Sequence, residues 1–133
     1  MIAVDTSVWI NYFGGRPTPS VVELRRLLAQ DLRPALTDLV LTELLQGVRS
    51  DRDRDRLERR LSYFPVLRLG HLTDFRRSAD LYRHARRQGI TIRSTVDCLI
   101  ASVCIREAVP ILHDDADFDR LASVSPLVVH PVG

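Results

Sequence analysis

The stretch Met1-Ile-Ala-Val-Asp-Thr-Ser-Val-Trp-Ile-Asn-Tyr-Phe13 decides the fold class, because an apolar run passes directly into a helix start. Met1–Val4 has the uninterrupted apolar character of a short buried strand. The polar residues that follow can cap a helix, and Val8–Phe13 is expected to form that helix before two glycines end it. A strand that leads at once into a helix is typical of a parallel α/β sheet.

Strands and helices alternate along the rest of the chain. After the turn at 17–20, a second helix is expected to present one inner face: Val21, Leu24, Leu27 and Leu28. Further strands are expected at 35–36, 64–69, 109–112 and 127–130, and further helices at about 37–48, 51–61, 72–87, 96–107 and 118–122. Residues 1–133 therefore predict one domain of the α/β class, in which helices flank both faces of a central, mostly parallel sheet to give three layers.

Two of the expected helices differ sharply in pattern. The helix at 72–87 is amphipathic, with one apolar face that is expected to pack inward: Leu72, Phe75, Ala79, Tyr82 and Ala85. Residues 51–61 instead alternate Asp and Arg at the spacing of ion pairs on a helix, which favours a solvated, self-paired helix. A basic rim for RNA or for a partner protein is the alternative that this pattern leaves open.

The basic side chains are all arginine, 19 in number, and the formal net charge is +2. Walker-A nucleotide sites, receiver domains and haloacid-dehalogenase-type phosphatases normally hold phosphate with a lysine, so its absence counts against all three. A net charge of +2 does not by itself indicate a nucleic-acid partner. If the acids gather in one pocket, however, the remaining surface is more basic than the net charge implies. Its arginines could then contact the phosphate backbone of a nucleic acid.

The apolar segments bear on the cellular location of the protein, and the spacing of the two cysteines bears on their role. No apolar run is long enough to span a bilayer, and an acidic residue at position 5 argues against a signal peptide, so a cytoplasmic protein without a membrane partner is expected. Cys98 and Cys104 stand six residues apart in an expected helix, about 240° apart around its axis. They cannot pair locally and lack zinc spacing, so both are expected to be small core residues.

Five carboxylates interrupt or end apolar stretches along the chain: Asp5, Glu43, Asp97, Asp115 and Asp117. Each alone has an ordinary explanation, such as a cap for Asp5 or a helix-dipole contact for Asp97. Five carboxylates next to a hydrophobic core cost desolvation free energy unless a cation balances their charge. The pattern therefore predicts that they share one cation-binding site. Hard oxygen ligands favour Mg²⁺ or Mn²⁺ over zinc, and such an ion suits phosphodiester chemistry.

Four segments carry a resemblance to a known family. They are Ile2-Ala-Val-Asp-Thr-Ser-Val-Trp-Ile10, Thr42-Glu-Leu-Leu-Gln-Gly-Val-Arg49, Ser94-Thr-Val-Asp-Cys-Leu-Ile-Ala101 and Ile111-Leu-His-Asp-Asp-Ala-Asp-Phe-Asp-Arg-Leu-Ala122. In order and separation they resemble PIN-domain ribonucleases of the VapC toxin type, from residue 1 to about residue 130. The resemblance implies a single PIN domain that cleaves RNA internally with a metal-activated water and forms no covalent intermediate.

The same resemblance implies roles for particular residues. Asp5, Glu43, Asp97 and Asp115 would form the catalytic acidic set that binds Mg²⁺ or Mn²⁺, with Asp117 contributing to metal binding. Thr6, Ser7 and Thr95 would support the site through hydrogen bonds. In such toxins an uncharged residue often precedes the last of the four acids, whereas this chain has Asp114 there, so Asp114 and Asp115 could exchange roles. His113 is expected to be a strand-end residue rather than a base.

Partners are implied only by the resemblance. They are an RNA substrate, a second copy of the toxin in a homodimer, and a cognate VapB-type antitoxin whose C-terminal segment covers the acidic groove and often projects an arginine into it. Two alternatives stay open. One is a catalytically silent module whose acidic pocket docks a basic partner segment, and the other is a phosphatase or DNA-directed nuclease that uses the same acids.

Overall fold

A computed structural model describes residues 1–133. The elements in chain order are β1 Ile2–Val4, α1 Thr6–Phe13, α2 Pro19–Ala29, β2 Pro34–Thr37, α3 Asp38–Gln46, α4 Asp51–Leu61, β3 Val66–Leu67, α5 Leu72–Arg87, α6 Thr95–Glu107, β4 Ile111–Leu112 and α7 Ala116–Ser123. Helix starts agree with the local sequence because short polar side chains precede them. Thr18, for example, accepts a hydrogen bond from the Val21 N–H, and Thr37 accepts one from the Val40 N–H.

The four strands form a parallel sheet in the order β3-β2-β1-β4. Strand β1 is central, with Ile2 opposite Pro34 of β2 and Val4 opposite Leu112 of β4. All the carboxyl ends of the strands therefore lie at one edge, where sites form in sheets of this kind. The predicted α/β class with a parallel sheet between helical layers is confirmed.

The later strands are shorter than predicted. The strand expected at 64–69 is reduced to β3, and the strand expected at 109–112 is reduced to β4. Each of these strands begins directly after a proline, which has no N–H to donate to a neighbouring strand. The strand expected at 127–130 is wrong, because only one parallel bridge joins Val129 to Ile111. The β-branched residues there favour regular pairing, but the chain pairs at a single position.

The core lies around the central strand, and its two largest fully buried side chains are Trp9 and Phe118. The indole N–H of Trp9 donates to the carbonyl of Val4, 3.0 Å away, so its polar group is satisfied inside the core. Cys98 and Cys104 are buried and free, which confirms them as core residues. No helix combines the length and the apolar character that crossing a bilayer requires.

The inward face predicted for α5 is right for Ala85, which is buried, and for Tyr82, which is half-buried against the core, but wrong for the other three residues. Leu72, Phe75 and Ala79 are exposed, whereas Asp74 and Ser78 are buried together with Ala85 against α6. Asp74 can be buried because its carboxylate accepts from Arg106 Nε at 3.0 Å and from the Gly70 N–H at 2.9 Å. The apolar pattern pointed to the neighbouring side of the helix because it gives no weight to a paired polar residue.

Helix α4 agrees with the favoured interpretation of its Asp and Arg alternation. Its side chains are exposed except near the C-terminal end, and Arg54 pairs with Asp55 and with Glu58 at 3.3 and 2.7 Å. Five arginines stand against four acids on this helix, so its surface is nearly neutral.

Candidate metal centre

Strand geometry brings the first and last acidic segments together. Strands β1 and β4 are adjacent and parallel, and the Asp5 N–H donates to the Leu112 carbonyl at 2.9 Å. Asp5 follows β1 and caps α1, while Asp115 follows β4 and caps α7. Both carboxylates thus lie at the carboxyl edge of the sheet.

Helix α6 adds the third segment. It begins after Ser94, whose hydroxyl accepts from the Val96 N–H, and this start places Asp97 in the first turn. One carboxylate oxygen from each of Asp97, Asp115 and Asp117 lies within 4.8 Å of the other two. Three oxygens at this separation can coordinate a single divalent ion.

The remaining two acids are held by the predicted supporting residues. Ser7 donates its hydroxyl to Asp5 at 2.7 Å, and Thr6 donates its hydroxyl to Glu43 Oε1 at 2.8 Å. Glu43 arrives from α3, so this bond joins two helices that are far apart in sequence. Thr95 makes no side-chain hydrogen bond to any of the acids and lies in a groove between α5 and α6. Its supporting role stays a prediction.

Two of the carboxylates, Asp97 and Asp5, have raised pKa values. Burial raises the pKa of Asp97 to about 7, and the charges of Asp115, Asp5, Asp117 and Glu43 add to the rise. Burial also raises the pKa of Asp5, although hydrogen bonds from Ser7 and Thr6 oppose the effect. A bound cation would relieve both, so the donor set and its charge fit a hard divalent metal.

Asp117 has two cationic neighbours that the sequence interpretation did not assign to the site. Arg120 Nη1 donates to Asp117 Oδ1 at 2.6 Å, while the backbone N–H of Arg93 donates to Oδ2 at 3.2 Å. Burial alone would raise the pKa of Asp117, but these hydrogen bonds and charges lower it overall. Arg120 could have been found from its i,i+3 spacing. No sequence signal links Arg93, 24 residues away, to Asp117.

Arg93 is also close to a second carboxylate. Its side chain is 73% exposed, and its guanidinium lies 3.5 Å from Asp117 Oδ2 and 3.7 Å from Asp115 Oδ1. Contacts of this length leave the guanidinium loosely held at the mouth of the acidic cluster.

The structure separates the roles of Asp114 and Asp115. Asp115 belongs to the acidic cluster, whereas the Asp114 carboxylate accepts from the hydroxyl of Ser20, at the start of α2. His113 is buried between them and the core, and its Nδ1 accepts the Asp115 N–H at 3.0 Å. Because Nδ1 is an acceptor, Nε2 carries the proton that bonds Asp119 Oδ1 at 3.1 Å. His113 is therefore a structural contact of the loop.

Glu43 is one of the lining residues of a groove of about 430 Å³. It lies between α1, α3 and α4, and its lining includes the charged residues Asp53 and Arg56. Five of the eleven lining residues are apolar: Ile10, Phe13, Leu44, Val48 and Leu57. Arg60 closes one side, with its guanidinium carbon 4.5 Å from the centre of the Phe13 ring. Ile10 is 50% exposed, so the groove presents apolar surface directly beside the acidic set.

Comparison with known proteins agrees with the fold. The PIN domain model matches residues 2–124. Ribonuclease VapC11 of Mycobacterium tuberculosis is 42% identical over 128 residues, which cover 96% of each chain.

Two solved structures share the fold at lower identity. The VapBC2 complex of Rickettsia felis, bound to a promoter DNA fragment, gives a TM-score of 0.76 at 21% identity over 98% of both chains. VapBC-1 of nontypeable Haemophilus influenzae gives a TM-score of 0.73 at 19% identity over 98% of this chain and 97% of that one. The predicted resemblance is confirmed, and the chain belongs to the PIN-domain family and, within it, to the VapC group.

Proposed function

We propose that this protein is a metal-dependent endoribonuclease and the toxin of a type II toxin–antitoxin pair. The observation that supports the proposal most directly is the Asp97 carboxylate, whose pKa is raised to about 7 within a cluster that includes Asp115 and Asp117. Such an arrangement is poorly stable without a cation, and perturbed acids of this kind gather at active sites. The relative VapC11 is named a ribonuclease.

Asp97, Asp115 and Asp117 would hold the Mg²⁺ or Mn²⁺ ion, with Asp5 close enough to share its charge. When bound, such an ion lowers the pKa of a water and stabilises negative charge on the phosphate. Glu43 is held by Thr6 through Oε1 only, which leaves Oε2 to accept a proton from an attacking water. Ser7 keeps Asp5 oriented toward the same site. Arg93 can offer its exposed guanidinium to a phosphate oxygen.

The direct test is cleavage of total cellular RNA by purified protein free of antitoxin, with Mg²⁺, with Mn²⁺ or with EDTA. We expect discrete fragments with either metal and none with EDTA, since the acids alone cannot stabilise the charge that develops on a phosphate. Single-stranded DNA of matched sequence, added in excess, should not suppress cleavage. Folded protein that cleaves nothing would favour a catalytically silent docking module, and equal cleavage in EDTA would contradict the proposed chemistry.

The same proposal includes an occupant for the groove beside Glu43. We place the C-terminal segment of a cognate VapB-type antitoxin there, with apolar side chains against Ile10 and Phe13 and an arginine directed toward the acids. A carboxylate cluster accepts a guanidinium as readily as a metal ion, and the groove supplies apolar area next to it. VapBC-5 of Mycobacterium tuberculosis, which is similar in fold, is described as a member of the VapBC family of toxin–antitoxin systems.

Ile10→Glu should weaken binding of the cognate antitoxin about tenfold, because it places a carboxylate against buried apolar side chains of the partner. Val22→Glu is the matched control, since Val22 is similarly exposed but lies on α2 outside the groove. Isothermal titration calorimetry on both variants measures the difference. Equal losses of antitoxin affinity in the two variants would contradict the placement of the antitoxin segment in this groove.

A further inference from the structure

Helix α4 carries its two kinds of charge on different sides. At about 100° per residue, four of its five arginines lie within about 100° of one another, and we call this surface the basic side of α4: Arg52, Arg56, Arg59 and Arg60. Three of its four acids lie on the adjoining side, within about 60° of one another: Asp51, Asp55 and Glu58. The helix as a whole is nearly neutral, but one of its sides is strongly basic.

The ion pairs of α4 leave its basic side free. Arg54 is the one arginine of the helix that makes ion pairs, to Asp55 at 3.3 Å and to Glu58 at 2.7 Å. The four arginines of the basic side are exposed and make none, and neither does Asp53, which lines the groove beside them. Unpaired guanidinium groups on one exposed surface are suited to the phosphates of a polyanion.

The basic side of α4 adjoins the candidate metal centre. Arg56 and Arg60 line the same groove as Glu43, which is one of the five acids of the site. Arg52 precedes them at the helical spacing i, i+4 and i+8, so the three arginines follow one another about 6 Å apart along the axis. A polyanion that leaves the acids by way of Glu43 therefore meets a row of guanidinium groups.

An exposed aromatic ring follows the basic side in the chain. Tyr63 stands two residues after the end of α4 and four residues after Arg59. Its side chain is 86% exposed, more than that of any other phenylalanine, tyrosine or tryptophan in the protein. A ring that is not packed into the core is available for stacking by a nucleic-acid base.

We propose that the basic side of α4 and Tyr63 bind the single-stranded RNA substrate beside the acids, with phosphates on Arg52, Arg56 and Arg59 and a base stacked on Tyr63. The inference rests on the proposed function and extends it to the path of the substrate. Proteins bind single strands through arginine contacts to phosphates and through stacking of bases on aromatic rings, and this surface offers both. An acidic protein segment would also need apolar anchors, and none lies among these arginines.

The test is RNA affinity as a function of salt. Fluorescence anisotropy with a single-stranded RNA of about 12 nucleotides, within the usual range of site sizes, measures binding without cleavage in EDTA and in an Asp97→Asn background. Arg52→Gln/Arg56→Gln/Arg59→Gln should lower affinity at least about tenfold at low salt. It should also reduce the slope of log K against log salt by about 2, at roughly 0.7 for each phosphate that the variant no longer neutralises. Tyr63→Ser should lower affinity at least about fivefold and keep the slope.

A matched control removes the same charge elsewhere on the protein. Arg25→Gln/Arg77→Gln/Arg87→Gln replaces three exposed arginines of α2 and α5 that make no ion pair. These side chains lie outside the proposed path, so the affinity should stay within about threefold of wild type and the slope should not change. Circular dichroism spectra check that both triple variants keep the helical content of wild type. Equal losses of affinity in the two variants, or an unchanged slope in the α4 variant, would overturn the RNA path.

A second measurement separates this inference from the proposed function. Hydrolysis of bis(p-nitrophenyl) phosphate by wild type with Mn²⁺ tests the acidic cluster without RNA. No hydrolysis would contradict the proposed chemistry, while the anisotropy data would still decide the RNA path. The antitoxin segment proposed for the groove would also lie against Arg56, so its affinity for the α4 variant is measured as well. Wild-type RNA affinity combined with lost antitoxin affinity would assign these arginines to the antitoxin and overturn the RNA path.

Discussion

Asp97→Asn should abolish RNA cleavage while the protein stays folded. Asp97 contributes one of the three carboxylate oxygens that lie within 4.8 Å of one another, and asparagine keeps its shape without its charge. Loss of groups that merely orient a metal ligand costs about 10- to 100-fold, so loss of a direct ligand should lower the cleavage rate by more than about 100-fold. Gel assays of RNA cleavage in Mn²⁺ and circular dichroism spectra of both proteins measure the two expectations.

Asp114→Asn provides the matched control. It removes the same charge from the neighbouring loop, but the Asp114 carboxylate bonds Ser20 and lies outside the acidic cluster. Its cleavage rate should stay within about threefold of wild type, because surface substitutions away from a site have small effects. Full activity of a well-folded Asp97→Asn protein, or equal losses in the two variants, would mean that the acidic cluster is not the cleavage site.

The metal-free protein should lose stability as pH rises from about 4 to about 7. The pKa of Asp97 is raised from its ordinary 3.8 to about 7 in the folded state, so the folded protein binds more protons than the unfolded chain in this window. Stability therefore falls with rising pH there. A shift of this size corresponds to at most about 4 kcal/mol, and partial solvent exposure reduces it to about 2 kcal/mol. Burial of Asp5 acts in the same direction.

Thermal melts of wild type and Asp97→Asn in EDTA at about pH 5 and about pH 8 measure this effect. Wild type should lose roughly 5 °C more in Tm than the variant between the two pH values, because about three fifths of the effect falls above pH 5. Mg²⁺ or Mn²⁺ at about 100 times its Kd should add about 2.7 kcal/mol to wild type at the higher pH and far less to the variant. Parallel pH curves for the two proteins, together with no metal shift in Tm, would show that the carboxylates do not form a cation site.

Some of the residues on which both predictions depend could be identified from the sequence, and others could not. Asp5, Glu43 and Asp97 could be found because each interrupts or ends an apolar run. The supporting hydroxyls, Thr6 and Ser7, are close neighbours of Asp5 in the chain. Arg93 could not be found in this way, because its bond with Asp117 joins a loop to a helix 24 residues later. Local patterns indicate which residues are unusual, whereas partners that are distant in sequence depend on how the elements pack.

The same distinction explains the error on α5. Leu72 and Phe75 follow the spacing of a buried face, and the periodicity alone supports that interpretation. Burial of the neighbouring side depends on Arg106 of α6, which pairs with Asp74 and makes its desolvation tolerable. The ion pair between the two helices therefore accompanies a rotation of the buried face away from Leu72 and Phe75, which the amphipathic pattern does not reveal.

Local sequence patterns were enough to predict the α/β class, the order of most elements, the helix caps and the set of acids from Asp5 to Asp117. These features depend on the spacing of apolar side chains and on neighbours within a few residues. Both are properties of the sequence, whatever fold the chain adopts. Three features became visible only from the packing of the elements: Asp115 and not Asp114 joins the cluster, Arg93 and Arg120 contact Asp117, and α5 exposes Leu72 and Phe75 to solvent. Each of these depends on the packing of elements far apart in sequence, since a side chain's direction is set by what lies against its element.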